Sequence, residues 1–270
     1  MQNGYYQATG AMVTQFNRLD VISNNLANIN TIGFKRDDVV VGDFERIFQE
    51  FRDVLPLENH TKQAAKFLNR TIDRVPQISE QYVDFSNSGI KFTGNTLDFA
   101  IKREDIFFLV ETKTGEVRLT KNGAFSLDNE GFLVTKEGFR VLPSNHFEGG
   151  ANGIQIPQDE RLSVDKNGNI YANDEQIARF YLAQPKEMRN LTKEGDNLYV
   201  LPDLKELRDL GDDVDAVAQG YTQISNVNAV TEMVGLIETN RLVDMYQKVM
   251  RSHMDDLNQD AISKLANIKA

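Results

Sequence analysis

No cysteine occurs anywhere in the 270 residues. Disulfides, thiolate metal sites and cysteine nucleophiles are removed together, which fits either a reducing cytosol or an exported protein that avoids thiol chemistry. Histidine is nearly as scarce. His60, His146 and His253 lie far apart, without the His-x-x-x-His spacing of a zinc site. No Lys or Arg precedes Arg18, and residues 1 to 17 alternate polar with apolar, so a cleavable secretory signal is not expected. Nor does any run of about 18 apolar residues appear, so no bilayer-spanning helix is expected. Basic charge is outnumbered, with 40 Asp and Glu against 30 Lys and Arg for a net charge of -10 and no evident basic stripe. Neither nucleic acid nor anionic lipid is expected as a partner.

Chemical motifs are missing as well. No Gly-x-Gly-x-x-Gly follows a strand pattern, no phosphate-loop Gly-Lys-Ser/Thr occurs, and no Gly-x-Ser-x-Gly elbow presents a nucleophile. The series Asp165, Asn167, Asn169 has the look of a calcium loop, but Ile170 stands where the sharp turn needs Gly and Gln176 where a bidentate Glu is needed. It reads as a hairpin turn. Asp98, Asp105, Asp128 and Glu130 fall at strand ends, and two carboxylates at the right separation are all a glycosidase needs. Carboxylates in turns are ordinarily solvated turn formers. A carbohydrate-active enzyme or an adhesin built on the central domain is the alternative from a different class. The main expectation is no catalytic, metal or cofactor-binding residue and no small-molecule substrate.

What is present begins with a 40% apolar content, enough over this length to bury one sizeable core or two modest ones. Tyr5, Ala8, Met12, Phe16, Leu19, Ile22, Leu26 and Ile29 recur at steps of three or four and predict a helix of about 25 residues, near 38 Å long. The only charged residues between Met1 and Phe34 are Arg18 and Asp20. A core helix with a polar back is one reading; a helix contacted on several sides by neighbouring subunits explains the missing charge better. From about Asn228 a second helix is predicted, with Leu236, Val243, Met250 and Leu257 seven apart and Met233, Asn240, Gln247, Met254 and Ala261 interleaved as a heptad seam. Asn240 and Gln247 either specify register within that seam or mark an edge facing solvent. Asn228 suits the N-cap, and Glu232 suits the helix dipole.

Between the helices lie short strand-like runs from Leu97 to Ala183, separated by turns such as Lys113-Thr114-Gly115, Lys121-Asn122-Gly123, Asp128-Asn129-Glu130-Gly131 and Lys136-Glu137-Gly138. Their glycines are expected to supply positive φ, and the order reads as an antiparallel meander. The fold class is therefore α+β in three parts. A discontinuous terminal helical coiled-coil domain takes 1–36 and 227–270, an extended β arm or linker takes 37–90 and 203–226, and a central all-β antiparallel domain takes 91–202. Within the arm, Phe44, Ile47, Phe48 and Phe51 suggest one short amphipathic helix ending before Pro56, and Asp212, Asp213 and Asp215 make the return segment acidic.

The end of the first helix reads Ser23-Asn24-Asn25-Leu26-Ala27-Asn28-Ile29-Asn30-Thr31-Ile32-Gly33-Phe34-Lys35-Arg36, which resembles the N-terminal signature of bacterial flagellar rod and hook proteins. Gly33 suits a left-handed residue there. Ser225-Asn226-Val227-Asn228, Glu232-Met233-Val234 and Ile237-Glu238-Thr239-Asn240-Arg241 resemble the start of that family's C-terminal helix. Asn95 to Ile101 leading to Phe107-Phe108, Leu119 to Phe125 leading to Gly131 to Thr135, and Gly195 to Tyr199 are similar to its middle. Two departures stand out: Arg103-Glu104-Asp105-Ile106 replaces the usual Gly-Asp-Gly turn, and Val243 replaces an aromatic after Arg241. Length and the segment from 41 to 90 are more similar to the distal rod type, while Ile154-Gln155-Ile156-Pro157 is similar to the proximal type.

The resemblance implies a structural subunit of the basal-body rod, with a hook or other axial flagellar protein as the alternative within the family. It implies export through the flagellar type III apparatus and polymerisation into a hollow axial tube that crosses the periplasm, encloses the export channel and carries torque. Implied partners are copies of itself, other rod and hook subunits, the export apparatus and the ring proteins around the rod. The implied assembly residues are Tyr5, Met12, Phe16, Leu19, Ile22, Asn24, Asn25, Leu26, Ala27, Asn28, Thr31, Gly33 and Phe34 at one end. At the other they are Ser225, Asn226, Asn228, Met233, Leu236, Ile237, Asn240, Arg241, Val243, Met250 and Leu257.

Overall fold

The computed structural model describes residues 2–43, 76–149, 152–157, 162–211 and 215–267. The expected short helix around Phe44, Ile47, Phe48 and Phe51 lies outside them, as do Asp212 and Asp213. Packing separates the chain into two units. One comprises Met1–Ala27, Asp37–Tyr82 and Asn228–Ala270, the other Asn28–Arg36 and Val83–Val227.

In the first unit the expected helices form as α1 (Gln2–Ala27) and α2 (Ala229–Asn267). Asn228 caps α2: its side-chain oxygen accepts from the Val230 and Thr231 amides at 3.0 and 3.3 Å, satisfying two donors that the first turn leaves orphaned. The helices pack antiparallel. The Thr9 hydroxyl donates to Met250 Sδ at 3.3 Å, and at the other end Ile22 Cδ1 would lie 3.4 Å from a Cβ built on Gly235. Arg36–Asp43 and Pro76–Asp84 pair as a two-stranded sheet.

The seam on α2 differs from the expected one by a single residue. Leu236, Val243 and Met250 do face inward, but the interleaved inward positions are Glu232, Thr239, Tyr246 and His253, while Met233, Asn240 and Met254 are exposed. Choosing the more apolar frame fails here because the polar frame satisfies itself, the Thr239 hydroxyl bonding the Gly235 carbonyl at 2.7 Å one turn back. On α1 the buried positions are Ala8, Ala11, Thr14, Gln15, Ile22 and Asn25, mostly small or polar, and Phe16 is exposed.

The second unit is antiparallel β throughout its paired strands, though not a meander. A meander would lay Ser126–Leu127 beside Val117–Thr120. Instead the main sheet runs Thr192–Lys193, Leu198–Val200, Val117–Thr120, Phe107–Glu111, Arg140–Val141, Leu133–Val134, Ser126–Leu127. The cause is the stretch from Lys121 to Ala124, which leaves the sheet to bond Phe99 (its amide to the Gly123 carbonyl, 2.8 Å) and bridges Ala124 to Asp98. Gly123 does not have positive φ. It is glycine because a Cβ there would lie 1.7 Å from the Phe99 carbonyl oxygen. Gly115, Gly131 and Gly138 take the positive φ expected of their turns. The strand-like stretch that ends at Ala183 divides into Glu175–Arg179, in a three-stranded sheet with Asn169–Ala172 and Leu162–Val164, and Leu182–Pro185, which joins Phe107–Glu111. Residues 207–223 supply three more strands. Leu207–Asp209 pairs with Leu182–Pro185, Val217–Gln219 with Phe99–Ile101, and Tyr221–Gln223 with Ile90–Phe92.

Phe107 and Phe108 explain why this unit has two apolar clusters. Successive side chains on a strand point to opposite faces. Phe108 stacks edge-on with Phe125 and Phe180 at centroid distances of 5.2 and 5.3 Å, whereas Phe107 packs with Phe85 and Tyr199 at 5.4 and 5.7 Å. Val110 joins the first cluster and Leu109 the second, so this central strand is covered on both faces.

Candidate assembly site

The signature residues at the end of α1 act first on the chain's own backbone. Asn25, 1% exposed, donates from Nδ2 to the Asp37 carbonyl at 2.8 Å and accepts from the Asp37 amide at 2.9 Å. It pairs with the arm strand as a neighbouring strand would, so an amide side chain is required. Within the second unit Asn226 does the corresponding work. Its Oδ1 accepts from the Arg36 amide and its Nδ2 donates to the Asp84 carbonyl, both at 2.8 Å. Ser225 is buried and its hydroxyl accepts from the Val227 amide at 3.3 Å.

Residues 28–36 form a loop seated in the second unit. Thr31 Oγ1 donates to Asn28 Oδ1 at 3.0 Å, and the Phe34 amide to the Thr31 carbonyl at 3.2 Å, which tightens the turn into Gly33. Gly33 has φ +71°, and a Cβ on it would come within 2.6 Å of three backbone atoms of Lys121 and Asn122. Its amide donates to the Gln223 carbonyl at 2.8 Å, and Asn197 Nδ2 donates to the Ile32 carbonyl at 2.9 Å. Lys193 reaches over the Phe34 ring, 3.7 Å from its centroid, to bond the Lys35 carbonyl at 2.9 Å.

Two further lysines, Lys35 of the loop itself and Lys121 of its seat, are fully buried. Lys35 Nζ donates to the Ser86 carbonyl at 2.9 Å and to Ser88 Oγ at 3.1 Å. Burial lowers its pKa to about 8, against the opposing pull of Asp84 and Glu104. Lys121 Nζ donates to the carbonyls of Arg103 (2.9 Å), Glu104 (2.8 Å) and Ile106. Burial, reinforced by Lys35, pushes its pKa well down, while Asp105 and Glu104 act the other way. Lys35, Lys121, Lys193, Asn197 and Gln223 were not singled out from the sequence. Lys35, Lys121 and Asn197 lie inside recognised stretches, but a lysine is by default a solvated surface residue, and nothing local marks one that bonds carbonyls distant in sequence.

The other expected assembly residues divide by exposure. Ile22 and Val243 are buried; Tyr5, Met12, Leu19, Leu26, Leu236 and Met250 are half-buried; and Phe16, Asn24, Ala27, Asn228, Met233, Ile237, Asn240 and Arg241 are exposed. Leu257 lies on α2.

The carboxylates that an enzyme reading needs are already occupied. Asp98 accepts from Asn95 Nδ2 at 3.1 Å, Asp105 binds Arg103 through both oxygens, Asp128 Oδ1 accepts the Glu130 and Phe132 amides, and Glu130 pairs with Arg140 at 3.0 Å. Asp165 likewise bonds the Asn167 and Asn169 amides, both at 2.9 Å, as a hairpin turn former. Among the described residues no group of three or more His, Asp or Glu side chains could hold a metal ion. An open cleft of about 1040 Å³ beside Phe92 has, among the described residues, Asp174 as its one charged lining residue.

Models of three known families match this chain. The model for flagella basal body rod protein covers residues 6–35, that for the flagellar hook protein FlgE/F/G D1 domain covers 104–172, and that for the flagellar basal body rod FlgEFG protein C-terminal covers 218–264. The flagellar basal-body rod protein FlgF of Caulobacter vibrioides is 31% identical over 275 residues, covering 99% of this chain and 100% of the relative. FlgF of Rhizobium meliloti is 31% identical over 96% of both chains. FlgG of Buchnera aphidicola subsp. Schizaphis graminum is 29% identical over 89% of this chain and 91% of its own.

Proposed function

The chain belongs to the flagellar basal-body rod protein family, and from that premise we propose how it assembles. It is a structural subunit of the rod and not an enzyme. Assembly runs through the faces that α1 and α2 turn away from each other. One observation carries this reading: the helix pair is inverted. Inside it lie Gln15 at 6% exposure, Glu232 at 2% and Thr239 at 1%, while Phe16 stands 43% exposed, Met233 and Ile237 52% and Val230 71%. Fully burying one such apolar side chain is worth roughly 1.5–3 kcal/mol, so each half-exposed one holds about 1 kcal/mol that only a neighbour can realise. Unlike patches meeting head to tail through a rotation that does not close build an open helical filament.

The family resemblance supports the finer picture. The filament is a hollow tube beneath the hook, crossing the periplasm, enclosing the export channel and transmitting torque. Its terminal helices form a coiled-coil inner part, the arm links it to the outer β domain, and subunits arrive by flagellar type III export. Other rod and hook subunits are its axial neighbours, and ring proteins surround it. Electron microscopy of purified basal bodies with a label on this chain tests the reading. Label along the rod is expected, at a level that separates the distal type from the proximal, and label confined to the hook or absent from basal bodies overturns it.

A further inference from the structure

The turn from Arg103 to Ile106 is held together by a single side chain. Three backbone carbonyls, those of Arg103, Glu104 and Ile106, converge on one point, and Lys121 Nζ occupies it. An ammonium carries three N–H donors and no acceptor, so three carbonyl oxygens satisfy it completely. Its Nζ also lies over the Phe107 ring, 4.3 Å from the centroid. Among the described residues Lys121 makes no ion pair, so its fully buried amino group is held by backbone oxygens and a ring. The same residue also carries a second load. Its backbone carbonyl, with the Asn122 amide nitrogen, is the surface against which Gly33 packs, closely enough that a Cβ would be 2.6 Å away.

We infer that Lys121 is a positioning residue for the signature loop: its side chain clamps the 103–106 turn while its backbone forms the seat of residues 28–36, so that turn and loop are fixed together. Lys35 completes the arrangement from the loop's side by bonding Ser86 and Ser88. The inference concerns the second unit alone and deepens the assembly reading, because the loop follows α1 directly in the chain.

Native-state hydrogen exchange on the full-length monomer tests it, with Lys121→Met, which keeps the length of the stem and removes the donors, and Lys121→Arg, which keeps charge and donors. In Lys121→Met the amides of Gly33 and Arg36, bonded to the Gln223 carbonyl and Asn226 Oδ1, should exchange about tenfold faster or more, as expected for losing bonds from a charged donor, while the Val110 amide changes little. Lys121→Arg should restore most of the protection. Unchanged protection at Gly33 and Arg36, or acceleration shared equally by Val110, overturns the inference. Should Lys121→Met not fold, the wild type decides: with rising denaturant the Gly33 amide and the Lys102 amide, which enters the 103–106 turn and bonds the Ala216 carbonyl at 2.8 Å, should open together, and separate opening overturns it. These measurements on monomer are independent of where wild-type protein lies in basal bodies, so failure of the rod reading and failure of this one are distinguishable.

Discussion

Replacing Gly33 by valine brings together two costs that the loop cannot relax. The first is conformational: Gly33 has φ +71°, where an L-residue is disfavoured by roughly 1–2 kcal/mol and a β-branched one by more. The second is steric, since the new Cβ would lie 2.6 Å from Lys121 C, Lys121 O and Asn122 N, which are backbone atoms and cannot rotate away. Relief requires the loop to leave its seat, losing the bonds from the Gly33 amide to Gln223 and from Asn197 to Ile32 at about 0.5–1.5 kcal/mol each. Staying seated incurs the strain and the clash together, whereas leaving forfeits only about 1–3 kcal/mol for the two bonds, so the loop is unseated in most molecules. Neither apolar cluster of the β unit includes any residue from 28 to 36, so that unit should stay folded. The assay pairs amide exchange at residues 33 to 36 with swimming and rod formation. Lost local protection with an intact β core and no rods is expected, whereas normal motility in Gly33→Val refutes the reasoning.

Three other predictions follow from the same contacts. Asn25→Ala removes both bonds to the Asp37 backbone and should cost about 1–3 kcal/mol locally, read as faster exchange of the Asp37 amide; unaltered exchange there contradicts the pairing. Lys35 has a folded pKa lowered from 10.5 to about 8, so between those values the unfolded chain holds the extra proton and stability rises with pH. The penalty of burying the charge is fully present below about pH 8, and up to about 3 kcal/mol is recovered towards pH 10.5. Lys35→Met should flatten urea-measured stability across that window, and an unchanged slope rejects the assignment. Ile237→Asp changes a half-exposed position, so monomer stability should move by no more than about 0.5 kcal/mol while incorporation into rods is lost. Wild-type incorporation counts against the proposed assembly face.

Local patterns carried much of this fold. Apolar steps of three and four marked α1 and α2, Asn228 marked a helix start, and glycines marked the turns at 115, 131 and 138, because each of these depends on residues within one or two turns of chain. The failures share a cause. Strand neighbours, the one-residue shift of the α2 seam and the true reason for Gly123 all depend on what lies opposite in space, here the Phe99 carbonyl or the small residues of α1. The candidate site was legible as a motif and opaque as a mechanism. Asn25, Gly33 and Asn226 stood out by resemblance, but their partners are backbone groups, which no side-chain pattern encodes.

By itself, then, the sequence determined the helices, the β character of the middle, the lack of thiols and the family, since composition, period and signature are properties of the chain. Only the tertiary structure decided the strand order, which helix faces are exposed and that Lys35 and Lys121 are buried. Those depend on a balance between desolvation and hydrogen bonding that exists only once distant carbonyls such as those of Ser86 and Arg103 have been brought to the same ammonium groups.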